Sequence, residues 1–132
     1  LSSSPESEAI THGIRVRVRS EYVADESQPE HGNWFFAYHI SIMNESDETV
    51  QLVGRAWLIT DGHGSTEEVR GPGVVGEQPV LAPGDAFEYT SACPLPTPFG
   101  SMEGSYQMVT EAGQRFDAAI QRFSLSEPYA IN

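Results

Sequence analysis

The sequence predicts an all-β fold, a sandwich of seven to eight short antiparallel strands, on three observations. Apolar and polar residues alternate along several runs, so each run has one face for a core and one for water. Clusters of Gly, Pro, Asn and Asp separate the runs at short, fairly even intervals. No window keeps the 3.6-residue apolar period of an amphipathic helix for more than about a turn. Two sheets of this kind are stable when their apolar faces pack together.

Residues 1–9 are rich in Ser, Glu and Pro and are expected to form a flexible tail, with a single domain over 10–132. From Ile14, Val16 and Val18 lie on one side and Arg15, Arg17 and Arg19 on the other, which predicts a half-buried strand. Tyr22 to Asn33 reads as a loop. In the run from Trp34 to Met43, Trp34, Phe36, Tyr38, Ile40 and Ile42 share a face. The turn at Asn44 to Asp47 leads to a long strand over Val50 to Thr60, and Asp61-Gly62-His63-Gly64 turns the chain again. A short strand at Glu67 to Arg70 precedes a glycine loop. Beyond the turn at Leu81 to Gly84 come a strand at Phe87 to Ser91, a proline-rich connection, a strand at Met102 to Val109, and a last pair around Phe116 to Leu125.

Composition narrows the function classes. The chain has 132 residues, enough for one core, and 19 acidic residues against 7 basic ones, for a net charge of -12. All the basic residues are arginine. Such a surface repels phosphate backbones, so nucleic acid is not an expected partner. It suits solubility at high salt, where self-repulsion is screened. No apolar run approaches the roughly 20 residues of a membrane span, and the start lacks the regions of a signal peptide. No membrane insertion is expected, and the chain reads as cytoplasmic. Starting at Leu1, it leaves open that sequence precedes it. Cys93 is the single cysteine, which fits a reducing compartment.

Gly71-Pro72-Gly73-Val74-Val75-Gly76 spells G-x-G-x-x-G, followed by Glu77. Dinucleotide binding needs a helix after that loop, and Pro79 and Pro83 interrupt one. What remains is an anion-binding nest of successive amides, weighed against glycines placed for unusual backbone angles and close strand approach. Asp61, His63, Glu67 and Glu68 surround one hairpin and could offer ligands to a divalent ion, although Asp61-Gly62 is also ordinary turn chemistry. His12, His31 and His39 read as isolated surface histidines. Neither Cys93 nor Ser91 sits in a recognisable nucleophile motif, so no catalytic residue is assigned and no enzyme is expected. Arg55 and Trp57 share a strand face. An arginine in an apolar strand needs a partner, and Glu77 or Asp61 is expected to supply a structural ion pair bracing the glycine loop.

The run Arg55-Ala-Trp57-Leu-Ile-Thr-Asp61-Gly-His-Gly64, then Glu68-Val-Arg-Gly71-Pro-Gly73-Val-Val-Gly76-Glu77-Gln-Pro79, resembles the signature of the ApaG family. Leu81 to Gly84, Phe87 to Ser91, Met102 to Tyr106 and Phe123 to Leu125 continue the likeness, from about Ile10 to the C-terminus. The resemblance implies an immunoglobulin- or fibronectin type III-like sandwich and an association with cobalt and magnesium efflux or tolerance, making Mg or Co the cofactors to consider. It also implies kinship with eukaryotic domains in F-box proteins and a polymerase-interacting protein, which serve as protein-interaction parts. The expected function is therefore a non-enzymatic module with a protein partner. The alternative is a diphosphate or nucleotide sensor at the glycine loop with a divalent metal. Third is a nucleotide phosphohydrolase, which would need metal ligands or a base that the sequence does not name.

Overall fold

The computed structural model describes residues 4–128 and folds them into two antiparallel sheets around one core. Nine strands are present among the described residues: β1 (Glu6–Thr11), β2 (Ile14–Tyr22), β3 (Trp34–Asn44), β4 (Val50–Asp61), β5 (Thr66–Pro72), β6 (Val80–Leu81), β7 (Ala86–Leu95), β8 (Phe99–Thr110) and β9 (Arg115–Ser126). One sheet has the order β1-β2-β3-β7 and the other β5-β4-β8-β9, with the two-residue β6 pairing to β4. The loop between β2 and β3 contains two short 3₁₀ turns, at Ala24–Glu26 and Pro29–His31. No described helix is long and apolar enough to cross a membrane.

The count exceeds the expected seven to eight because β1 lies in polar sequence and β6 is only two residues long, between Pro79 and the turn at Ala82 to Gly84. Residues 6–9, expected in a flexible tail, belong to β1; the first three residues of that expected tail lie outside the described ones. The reason is cross-strand charge. Glu6 stands opposite Arg19 and Glu8 opposite Arg17, and Arg15 binds both Glu8 and Glu45. Small inward residues, Ser7, Ala9 and Thr11, let this strand lie against β9, where Ser7 Oγ donates to Gln121 O at 2.7 Å. The pair of strands expected after Phe116 is instead the single strand β9.

The alternating runs place their apolar faces inward as their sequence requires. Phe36, Tyr38, Ile40 and Ile42 of β3 are buried with Val16 and Val18 of β2, while Trp34 at the strand end is half-buried. On β4 the inward register shifts at a bulge between Leu52 and Gly54, so Leu52 and then Arg55, Trp57 and Ile59 face the opposing sheet. The centre of the core is aromatic. Trp57 meets Tyr38, Phe123 and Tyr106 with ring centroids 5.3, 6.1 and 6.3 Å apart, mostly edge to face. Burying each such side chain contributes roughly 1.5–3 kcal/mol.

The sandwich closes on one flank only. There β1 and β2 lie on β9, and four hydrogen bonds stitch them: that of Ser7, Ser20 Oγ to Ser124 O, Ser124 N to Ser4 O, and Ala119 N to Thr11 Oγ1. On the other flank β7 and β5 are outermost in their sheets, and no hydrogen bond among the described residues joins them.

Candidate functional site

The glycine loop sits at the open flank, at the end of β5. Gly73 N donates to Val53 O at 2.9 Å, and Val74 and Glu77 exchange backbone hydrogen bonds of 2.8 Å in both directions. Val75 and Gly76 form the turn between them with φ of 43° and 81°, a two-residue hairpin turn with positive φ at both positions. Gly71 lies in the ladder opposite Arg55. The loop's backbone is therefore largely engaged in holding itself to β4, and the amides at the tip, of Val75 and Gly76, are its free donors. Val74 is buried in the core, whereas Val75 is 54% exposed.

Two glycines of this loop owe their place to close approach. A Cβ on Gly73 would stand 2.0 Å from Glu77 O, at a residue whose φ is already +57°. Gly73→Ala is expected to lower stability by roughly 3 kcal/mol, read from a urea melt; a cost below about 1 kcal/mol would mean that the loop opens at little expense. A Cβ on Gly71 would stand about 3 Å from the Arg55 guanidinium, which lies flat across that position. Gly71 is thus the floor on which Arg55 rests.

Arg55 does brace the loop, but through a different bond from the one expected. Its Nη1 donates to Pro72 O at 2.9 Å and to Gly73 O at 3.0 Å, and no ion pair with Glu77 or Asp61 is present. The cross-strand register puts the loop carbonyls within reach of the guanidinium. Asp61 is committed elsewhere, its Oδ1 accepting from His63 N at 2.8 Å and Ser65 N at 3.1 Å. Trp57 is a core residue.

Asp61, His63, Glu67 and Glu68 do not converge. Adjacent on β5, Glu67 and Glu68 point to opposite faces, and no group of three or more His, Cys, Asp or Glu among the described residues has metal-binding geometry. His39 lies on the outer face of its sheet, with Nδ1 2.8 Å from Thr90 Oγ1 and Nε2 3.4 Å from Glu21. That face holds a groove of about 800 Å³ lined by Arg17, Arg19, His39 and Glu88 among others, but its arginines are already paired with Glu8 and Glu21. His12 packs edge-on against Phe116, and His31 ends the second 3₁₀ turn.

Sequence reasoning missed a phenol cluster beside Arg55. The hydroxyls of Tyr89 and Tyr106 are hydrogen-bonded across the sheets, and Tyr38 stands opposite Ser91 in the pairing of β3 with β7. Burial is the first cause holding all three phenols above their ordinary pKa, and the Arg55 charge opposes it in each. Burial likewise pushes the Cys93 thiol up to about 12, helped by Glu67. Cys93 packs in the core cluster. The signal available in sequence was the inward parity shared by Arg55, Tyr89 and Tyr106, but the strand pairing that joins them is long-range.

Relatives share this frame. The protein ApaG of Rhodospirillum centenum is 59% identical over 120 residues, covering 91% of this chain and 92% of that protein. The protein ApaG of Caulobacter vibrioides is 55% identical over 129 residues, covering 98% and 92%. A crystal structure from Bordetella pertussis, described under the name ApaA, matches with a TM-score of 0.86 at 44% identity, covering 97% of this chain and 99% of that one. The family pattern of the ApaG domain (DUF525) matches residues 24–110. With that match and these relatives over a two-sheet sandwich, the chain belongs to the ApaG family.

Proposed function

We propose that this chain is a non-enzymatic binding module of the cytoplasm that recognises another protein through the flank carrying the glycine loop, β5 and β6. Any contribution to cobalt or magnesium tolerance then passes through that partner. The carrying observation is Val75. A β-branched side chain is held at positive φ, which costs on the order of 1 kcal/mol or more, and is then left 54% exposed to water. Asn would suit that turn position better on both counts. Val80, 60% exposed on β6, adds a second apolar side chain to the same flank of β4. Exposed apolar surface maintained against local preference supports a contact that covers it.

Val75→Asn tests this reading. The variant is expected to be more stable by about 1 kcal/mol in a urea melt, because Asn-Gly suits the turn. In quantitative capture from host extract it is expected to lose a protein that the unaltered chain retains. Identical capture by both would sink the proposal. Titration with pyrophosphate, with and without Mg²⁺ or Co²⁺, reads the alternative. Saturable shifts confined to the Val75 and Gly76 amides would make the loop a diphosphate sensor instead.

A further inference from the structure

The open flank has a shape and a charge pattern that the loop tip alone does not use. The strand β7 pairs with β3 only, so its other edge presents unpaired backbone groups. From Tyr89 to Cys93 that edge carries no charge and no proline, which are the usual guards against added strands. Opposite, β5 turns Glu67, Val69 and Gly71 inward, with Glu67 exposed and Val69 half-buried. The two lips run past each other in matched register. Arg55, resting on Gly71, stands opposite Tyr106, whose hydroxyl bonds that of Tyr89 across the sheets, and one step along Trp57, opposite Val69, packs on Tyr38, opposite Ser91. Gly71 to Glu67 and Tyr89 to Cys93 are each four residue steps, about 13 Å at roughly 3.3 Å per step.

The seam thus has a cation at one end, an apolar side chain in the middle and an anion at the other. The cation is incompletely used. Arg55 spends Nη1 on two carbonyls, and among the described residues its Nε and Nη2 make no hydrogen bond and no carboxylate meets it. Glu67 is likewise in no ion pair among those residues. A strand laid along β7 would send every second side chain into the seam, toward Arg55, then Val69, then Glu67.

Resting on the protein-binding reading above, we infer that the edge of β7 receives an extended segment of the partner protein whose seam-facing side chains are acidic, apolar and basic at successive alternate positions. The acid pairs with Arg55 beside Tyr89, the apolar residue packs on Val69 beside Ser91, and the base pairs with Glu67 beside Cys93. Backbone hydrogen bonds to β7 supply attraction that is indifferent to sequence, and the two ion pairs with the apolar contact supply the selection.

The test is selection from a displayed random library of peptides of about nine residues, long enough to span the edge, against the full chain. Enriched peptides are expected to show acid, apolar and basic residues at alternate positions and to shift the amides of Tyr89 to Cys93 in a nitrogen-15 spectrum. Glu67→Arg, an exposed substitution that leaves the core intact, is expected to weaken those peptides roughly fivefold to tenfold and to enrich an acid where the unaltered chain enriches a base. Enriched peptides that shift only the Val75 loop or the Arg17 and Arg19 face would overturn the strand site while leaving a protein-binding module in place. Absence of enrichment would overturn the strand site, and the Val75→Asn capture then judges the broader reading independently.

Discussion

Truncating Phe123 to alanine is expected to cost about 3–5 kcal/mol, a large part of the stability of a domain this size. The ring is fully buried on β9 and touches both Tyr38 of the facing sheet and Trp57 of its own, so it joins the two layers. Removing it opens a cavity that stiff neighbouring strands cannot close. A urea midpoint compared at equal slope measures the loss. A cost near that of an ordinary surface substitution would show that the aromatic cluster is not the centre of the core.

Alkaline solution is expected to unfold the protein in one cooperative step. Tyr38, Tyr89 and Tyr106 all hold their protons more tightly when folded than the ordinary phenol value of 10.0, with burial as the first cause. Cys93 behaves alike, rising from 9.0 to about 12. Above those ordinary values the unfolded chain releases protons that the folded chain keeps, so stability falls as pH rises. The contribution is complete below the unfolded values and is lost as pH climbs through the folded ones. Tyrosinate absorbance from these three residues is expected to appear together with the loss of β-sheet circular dichroism. Their ionisation in a molecule that stays folded would contradict the burial described here.

At acid pH the outer charge ladder acts in the opposite sense. Hydrogen bonds from Arg15 hold the Glu8 and Glu45 carboxyls below the ordinary 4.5, so their contribution is present above that value and fades as pH falls through the folded ones. Both carboxylates are at the surface, and salt is expected to weaken the effect.

Period-two alternation was enough to read the inward faces of β2 and β3 from sequence, and Asp61-Gly62 announced its turn. The same rule failed for β1, because Glu6 to Thr11 has no apolar stripe and owes its pairing largely to complementary charges on β2. The glycine loop was visible as spelling, whereas the roles of its members came from three-dimensional contacts. Gly71 answers to a guanidinium from another strand, and Gly73 to a carbonyl four residues on. Arg55 was recognised as needing partners, yet carbonyls rather than carboxylates supplied them, since only the pairing of β4 with β5 decides what lies within reach. The open flank belongs to the stacking of two sheets and has no counterpart in any single run of residues.

The stitching of β1 to β9 has a consequence for how such a domain is joined to others. Ser124 N donates to Ser4 O at 2.8 Å, so the first described residues lie beside the last strand, on the flank where β1 packs on β9. A domain with neighbouring entry and exit points can be spliced into a host polypeptide much as a loop insertion is, with little demand on the host's geometry. Tethered at the sealed side, it would carry the proposed binding edge of β7 outward.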